Sequence, residues 1–329
     1  MSTPLAQRLF VALADGEFHS GEKLAAGLGV TRSAIWKAAA ALRELGVTLD
    51  GVTHRGYRLV AAVAPLDAGA LRAAMPAALL PKLRMGSVHW RIASTNAELL
   101  ERGGLAPGSF DYSVTECQTA GRGRRGRRWL APPGGAVCLS IAWAFESLPA
   151  EAGTLSLAIG VCVLRALGAM GHADAWLKWP NDLLAQGGKL AGILIELRSE
   201  AGGPAHVVIG IGINLQLGDV LREQVAATGT RATSLQSLGF DLTRRNELVA
   251  HLIAECVAGL QVFEREGFAP FAAQWSQSDA LLGEMVTVTG VDGPTQGVAR
   301  GIDAAGALLV ETQGSLRKFR SGDVSVRAS

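Results

Sequence analysis

The sequence predicts a multidomain chain of three folded parts in series. These are an N-terminal helical domain closed by a β hairpin, a central α+β domain with a mixed sheet, and a small SH3-like C-terminal β-barrel. Three observations carry the prediction. Residues 1–64 show apolar stripes at helical spacing followed by a short β pair. Residues 65–278 place β-branched runs one after another without a helix between each, which a parallel doubly wound sheet does not do. Residues 279–329 break into short strands at Gly290, Gly293, Gly301, Gly306, Gly314 and Gly322.

The first helix is read from Leu5, Leu9, Val11 or Ala12, and Leu13. Ser20 caps the second, whose inner face carries Leu24 and Leu28, and Gly29 supplies the turn. Thr31 caps the third, with Ile35, Ala38, Ala39, Leu42 and Leu45 facing inward. Arg32, Ser33, Trp36 and Lys37 face outward near its N-terminal end. Leu49–Leu59, with Gly51 and Gly56 as turn positions, reads as a two-stranded wing. This is the winged helix-turn-helix layout, in which the third helix enters the DNA major groove. A small helical domain that merely ends in a hairpin is the competing reading. Seven basic against five acidic residues over 1–64 do not exclude it; the order of elements and the basic outward face favour DNA.

Pro65 to Pro81 reads as a connector with one helix near Leu66–Met75. Beyond it, Tyr112–Glu116, Ala136–Trp143, Lys189–Leu197 and His206–Ile213 read as strands, and Leu155–Leu167 and Leu248–Phe263 as helices.

With 31 basic and 29 acidic residues the net charge is +2, so any basic surface must come from clustering. Five arginines crowd between Gly121 and Arg128. The N-terminus lacks the charged-then-apolar run of a signal peptide. The longest apolar run, Leu155–Leu164, is about half of what a bilayer-spanning helix needs, so no membrane partner is expected. Cys117, Cys138, Cys162 and Cys256 show neither metal-ligand nor disulfide spacing. They read as buried hydrophobes of a reducing, cytoplasmic compartment.

The strongest chemical signal is Gly121-Arg122-Gly123-Arg124-Arg125-Gly126-Arg127-Arg128-Trp129. Its glycines let backbone approach an anion, and its guanidiniums bind carboxylate or phosphate as bidentate forks. Such a loop suits the gathering of two mutually repelling anions, as when a carboxylate attacks the α-phosphate of ATP. Alone, it is equally a solvated loop that binds RNA or nothing. Its company matters. Lys178-Trp179-Pro180-Asn181-Asp182 follows a short apolar strand, and Lys189-Leu190-Ala191-Gly192 comes seven residues later. Lys189 is placed to neutralise charge, and Asp182 to hold a cation or orient a nucleotide. Gly210-Ile211-Gly212-Ile213-Asn214 ends a buried strand with one amide side chain, suited to an adenine edge. Ser94-Thr95-Asn96 lies at a strand-to-helix junction; Thr95 with Glu98 reads as a capping box, leaving Ser94 and Asn96 for a small polar ligand.

Together these motifs resemble the biotin protein ligase family, in its bifunctional branch of biotin operon repressors. The resemblance spans essentially the whole chain through five ordered motifs: Ser94–Asn96, Gln118 with Gly121–Arg127, Lys178–Asp182, Lys189–Gly192 and Gly210–Asn214. Gly16–Glu22 and Arg300–Asp303 add to it. The resemblance implies a ligase that makes biotinyl-5′-adenylate from biotin and ATP. It then transfers biotin to one lysine of a biotin carboxyl carrier protein. By the same resemblance Ser94, Thr95, Asn96 and Gln118 hold biotin, and Arg122, Gly123 and Arg124 close over it and the acyl phosphate. Lys189 meets the carboxylate. Trp129 stacks on adenine, and Arg125, Arg127, Lys178, Asn181, Asp182, Asn214 and Arg327 attend the nucleotide, with Mg²⁺ near Asp182. Operator DNA is read by Thr31, Arg32, Ser33, Trp36 and Lys37, and a homodimer is implied. The sequence departs from this pattern in Leu215–Gly239, which has no aromatic residue, and in the wing. A ligase that has lost regulation, and a lipoyl- or octanoyl-handling relative, are the alternatives; the arginine loop argues against the latter.

Overall fold

The computed structural model describes residues 3–199, 204–218, 222, 231–290, 293–320 and 325–328. The first elements are α1 (Leu5–Ala12), α2 (Gly21–Leu28), α3 (Arg32–Glu44), β1 (Leu49–Val52) and β2 (Gly56–Leu59). The caps are those expected: the Ser20 hydroxyl accepts from the Lys23 N–H and the Thr31 hydroxyl from the Ala34 N–H, both at 3.2 Å. Gly29, at φ +65°, ends α2 in the left-handed conformation. Two details differ from expectation. Val11 is exposed and Phe10 fills the core instead, because the inner face of α1 runs Leu9, Phe10, Leu13. Gly51 lies within β1 opposite Tyr57, and the hairpin turn uses positive φ at His54 and Gly56.

The central part opens with α4 (Ala68–Ala74), β3 (Leu83–Ile92), α5 (Thr95–Arg102), β4 (Phe110–Gln118), β5 (Ala136–Phe145) and α6 (Leu155–Ala169). It continues with β6 (Trp176–Lys178), β7 (Asp182–Ala185), β8 (Gly188–Ser199), β9 (Ala205–Asn214), α7 (Arg245–Glu266) and α8 (Ala269–Gln277). Seven strands form one sheet in the order β3-β4-β5-β9-β8-β7-β6. Only β3 and β4 pair in parallel; every other neighbour is antiparallel, so the sheet is mixed as predicted.

Strand β5 is buried along its whole length. Its Leu139, Ile141, Trp143 and Phe145 join the large core with α6 and α7, while Ala142 and Ala144 meet Leu99 of α5 on the other face. Such two-sided cover explains an apolar run in place of strict alternation. Helical windows at Ala152–Ala169 and Leu242–Glu266 are long and apolar enough to cross a membrane, beyond what the run Leu155–Leu164 alone indicated. They are 67% and 56% buried inside the fold, as core helices are.

The C-terminal strands β10 (Met285–Gly290), β11 (Gly293–Ile302), β12 (Leu308–Thr312), β13 (Ser315–Phe319) and β14 (Ser325–Ala328) form an antiparallel sheet. Their order is β13-β12-β11-β10-β14, and among the described residues no pairing joins β13 to β14. The C-terminal part is thus an antiparallel sheet, and closure into a barrel is not seen among the described residues. It is tied to the central part by Trp179, whose buried indole N–H donates to the Gly306 carbonyl at 3.0 Å.

Asp279 sits between the two, its Oδ1 accepting the Leu281 N–H at 2.9 Å and its Oδ2 buried without a partner. Burial pushes its carboxyl up to about 6, against the lowering effect of that N–H. An acid whose folded-state value is raised destabilises the fold at pH values above that value and has no such cost below its unfolded one. Asp279→Asn should therefore raise unfolding free energy at pH 7–8 by up to about 3 kcal/mol. Urea unfolding across pH should show that gain vanish by about pH 4. A gain that persists at pH 4 would contradict the assignment.

Candidate active site

The site lies where α5, the β4–β5 connection and the starts of β7 and β8 meet. Ser94, Thr95 and Asn96 are all buried. The cap of α5 is Ser94, whose hydroxyl accepts from the Ala97 N–H, and not Thr95. Thr95 is the first helical residue, so its N–H and hydroxyl are left for Gln118 Oε1, at 3.0 and 3.3 Å. Asn96 is not free either. Its Nδ2 donates to Glu196 Oε2 at 2.8 Å and its Oδ1 accepts from the Ser140 hydroxyl at 2.5 Å. Ser140 also lies 2.6 Å from the Thr95 hydroxyl. Thr95, Ser140, Asn96 and Gln118 thus form one hydrogen-bonded cradle at the N-terminus of α5.

The arginine segment is a short hairpin. Trp129 N–H donates to Gly121 O at 2.9 Å, Gly123 N–H to Arg127 O at 2.7 Å, and Arg122 bridges Arg128. Its tip, Arg124–Gly126, forces Arg125 to φ +60°, a conformation uncommon for a side-chain-bearing residue. Arg125, Arg127 and Arg128 are exposed there. Arg122 Nη2 faces both oxygens of Glu196, at 3.0 and 3.1 Å. Arg124 Nη1 donates to Asn181 Oδ1 at 3.3 Å, and Asn181 Nδ2 to Ile193 O at 2.8 Å.

A register shift between β7 and β8 places Leu183 opposite Ala191 but Leu184 opposite Lys189, skipping Leu190. A bulge of this kind re-aims the side chain beside it. Here Lys189 Nζ comes within 2.5 Å of Asp182 Oδ1 and 5.9 Å of the centre of the Trp129 ring. Asp182 is first of all the counter-ion of Lys189. No group of three or more His, Cys, Asp or Glu able to hold a metal occurs among the described residues.

The glycines of these motifs make room. A Cβ on Gly210 would collide with Asn96, and one on Gly212 with the Trp129 ring. A Cβ on Gly121 would sit 2.5 Å from Trp129 O, and one on Gly192 3.2 Å from Lys189 Nζ. Asn214 Nδ2 donates to Lys189 O and Thr233 O at 3.1 and 3.0 Å, clamping two backbone segments together. Lys178 is half-buried at the end of β6. The Arg327 side chain and, within Leu215–Gly239, residues 219–221 and 223–230 lie outside the described residues; the Arg327 backbone pairs with Thr287. All four cysteines are free and buried, and burial pushes Cys138 and Cys162 up to about 12. Sequence reasoning missed Ser140 and Glu196. The signal for the second was a carboxylate inside the apolar run of β8.

On the N-terminal part, Thr31, Arg32, Ser33, Trp36 and Lys37 are all exposed, Trp36 at 61%. The wing adds two cations that sequence reasoning passed over: Arg55 and Arg58 lie over the Phe18 ring at 4.1 and 4.6 Å.

Comparison with known proteins gives this arrangement its class. Residues 90–214 match the Biotin/lipoate A/B protein ligase family, residues 281–327 the Biotin protein ligase C-terminal domain and residues 6–58 an HTH domain. The chain belongs to the biotin protein ligase family, in its bifunctional ligase/repressor branch. It is 41% identical over 324 residues to the bifunctional ligase/repressor BirA of Escherichia coli K12, covering 98% of this chain and 97% of that one. It is 36% identical over 240 residues to the biotin–[acetyl-CoA-carboxylase] ligase of Mycobacterium tuberculosis, covering 70% and 85%. The structure resembles the biotin protein ligase of Aquifex aeolicus in complex with biotin and ATP. The TM-score is 0.61 at 29% identity, over 75% of this chain and 99% of that one.

Gly212→Ala should drive the Trp129 ring off its seat and destabilise the fold by about 1–3 kcal/mol. Acrylamide quenching of tryptophan emission should rise, and the rise should be absent in a Trp129→Phe background. Equal quenching in both backgrounds would mean that the ring does not rest on β9.

Proposed function

We propose that this protein activates biotin with ATP and transfers it to one lysine of a biotin carboxyl carrier protein. We propose also that it represses transcription as a biotin-responsive homodimer in the cytoplasm. The observation that carries the first part is that residues of β7–β8 and the turn before them hold Lys189, Arg122 and Arg124, with Glu196 joining Arg122 to the Thr95–Gln118–Ser140–Asn96 cradle. The named ligase relatives support it. The parts are taken as 1–64, 65–278 and 279–329. The last is read as an SH3-like barrel, supported by five short strands and by the bulge at Ala299–Ile302 that bends β11.

In this reading the ureido end of biotin hydrogen-bonds with Ser94, Thr95 and Gln118, with Asn96 as their support. The carboxylate reaches Lys189, Arg122, Gly123 and Arg124. A carboxylate oxygen attacks the α-phosphorus, the bond to the β-phosphate oxygen breaks, and pyrophosphate leaves. Lys189 offsets the charge that builds between the two anions, where a preorganised cation acts most strongly. Trp129 offers a ring face to adenine. Arg125, Arg127, Lys178, Asn181, Asp182 and Arg327 attend the phosphates, and Asn214 holds the strand that carries Lys189. Asp182 would be the carboxylate nearest to hold a Mg²⁺ carried on the triphosphate, and that ion would add to the neutralisation of the leaving pyrophosphate. In the second step the carrier lysine attacks the acyl carbon and AMP departs. The adenylate is a mixed anhydride, and the arginine hairpin shields it from water.

Repression rests on α3 with its exposed Arg32, Ser33, Trp36 and Lys37, and on the N-cap Thr31. In the wing Arg58 is paired with Asp50, and Arg55 gives a second basic contact suited to phosphates.

Single-turnover reaction of the purified protein with labelled biotin, MgATP and a carrier domain tests the ligase. Adenylate should form and then label the carrier. Activity with lipoate or octanoate in place of biotin would move the chain to the sister activity. Lys189→Ala should slow adenylate formation by about 10²–10³ while changing biotin affinity far less. Comparable losses in both would remove Lys189 from the chemistry. Arg32→Ala and Lys37→Ala should each weaken operator binding and lower the salt slope by about 0.9, with ligation intact. Gel-shift titrations at several salt concentrations measure this.

A further inference from the structure

We infer that Glu196 is a positioning residue for adenylation: it holds Arg122 in the ligand-free enzyme and yields it to the incoming carboxylate. The inference rests on the reading of the site as a biotin site. Glu196 lies on β8 opposite Val208, in the run that also carries Gly192 and Leu194. One of its oxygens accepts from Asn96 Nδ2 at 2.8 Å, and both face Arg122 Nη2 at 3.0 and 3.1 Å. Through Asn96 it is continuous with Ser140, Thr95 and Gln118. One carboxylate therefore touches the floor of the cradle and the arginine that caps it.

The exposures of the two partners decide what such a pair can do. The Glu196 side chain is 23% exposed and that of Arg122 49%. Half-exposed ion pairs are weak because water solvates both partners when they part. The buried pair Arg245–Glu116, at 0% and 5%, has no such escape and is a fixed part of the core. A carboxylate brought onto the cradle offers Arg122 a bidentate partner in a less hydrated setting. Glu196 then keeps its Asn96 N–H and turns its other oxygen to water. Arg122 is neutralised before and after the exchange, so the cradle never carries an unpaired guanidinium. The consequence is specific: Glu196 competes with anionic ligands and not with neutral ones of the same shape.

Calorimetric titration of the full-length protein with biotin and with biotinol, its neutral alcohol, tests this. Glu196→Gln keeps an acceptor for Asn96 and removes the charge. It should tighten biotin about three- to tenfold and leave biotinol within about twofold. Trypsin should also cut ligand-free E196Q within 121–128 several times faster than wild type, with both equally protected by biotin and ATP. Equal changes for biotin and biotinol, or an unchanged or weaker biotin affinity, overturn the inference. Should E196Q not fold, Arg122→Gln carries the test. It must lower the preference for biotin over biotinol, with Lys189 and Arg124 still present, and an undiminished preference overturns the inference. Wild-type protein that binds neither ligand removes the site reading, and this inference with it. Wild-type protein that binds biotin but shows no charge-specific effect of E196Q removes the inference alone.

Discussion

A site that joins a carboxylate to a polyphosphate must hold several cations close together before either anion arrives. That constraint shapes the arrangement more than any other. Uncompensated, Lys189, Arg122 and Arg124 would repel one another across the top of the sheet. Each is matched by a specific acceptor: Lys189 by Asp182, Arg122 by Glu196, and Arg124 by the Asn181 side-chain oxygen Oδ1. All three acceptors come from β7 and β8 or from the turn just before them. The β7–β8 hairpin therefore does more than close the sheet. Its bulge aims Lys189, and its acceptors fix where the arginine hairpin rests.

Keeping those cations in place needs close approach of backbone, which explains where glycine is indispensable. Trp129 and Asn96 reach the same strand from opposite sides of the sequence, and β9 receives them at Gly212 and Gly210. The two glycines are a strand period apart, so both side chains enter from one face. The intervening Ile211 points to the other face and is buried in the main core. A Gly-x-Gly at the end of a strand is thus two seats separated by a core anchor. Cys138 lies opposite Gly212 on β5 and Ser140 opposite Gly210, so the face continues across the strand pair.

What the sequence made legible follows from distance along the chain. The arginine hairpin is contiguous, and its composition announces it. Caps at Ser20 and Thr31 are local, and they fell where expected. The strands β4, β5, β8 and β9 carried dense apolar runs and were visible to within a few residues. Ser94 and Thr95 exchanged roles because a helix boundary moved by one position, and a cap is defined by that position. The backbone partners of Asn214 Nδ2, Lys189 and Thr233, were not visible because they lie 25 and 19 residues away. Glu196 was invisible for the same reason on a larger scale: it is 100 residues from Asn96 and 74 from Arg122. Only the register of β8 on β9, and of β9 on β5, brings them together. The C-terminal glycines marked turns correctly but carried no information on closure.

The same logic extends to how the N-terminal part meets the site. Glu116, at the end of β4, accepts from the Leu66 N–H at 2.7 Å and the Gly134 N–H at 3.1 Å while paired with buried Arg245. Leu66 belongs to the connector, and Gly134 to the stretch that returns from the arginine hairpin into β5. A Cβ on Gly134 would sit 3.1 Å from the Phe10 ring, which itself tilts against Trp90 with centroids 5.4 Å apart. Arg245 cannot move without stranding Glu116 as a buried charge, a cost of about 3–5 kcal/mol. Connector, hairpin root and α7 are therefore held as one unit, with α1 packed against it. The N-terminal helices do not hang from a free tether; Phe10 packs against Trp90 and the Gly134 stretch that returns from the arginine hairpin into β5.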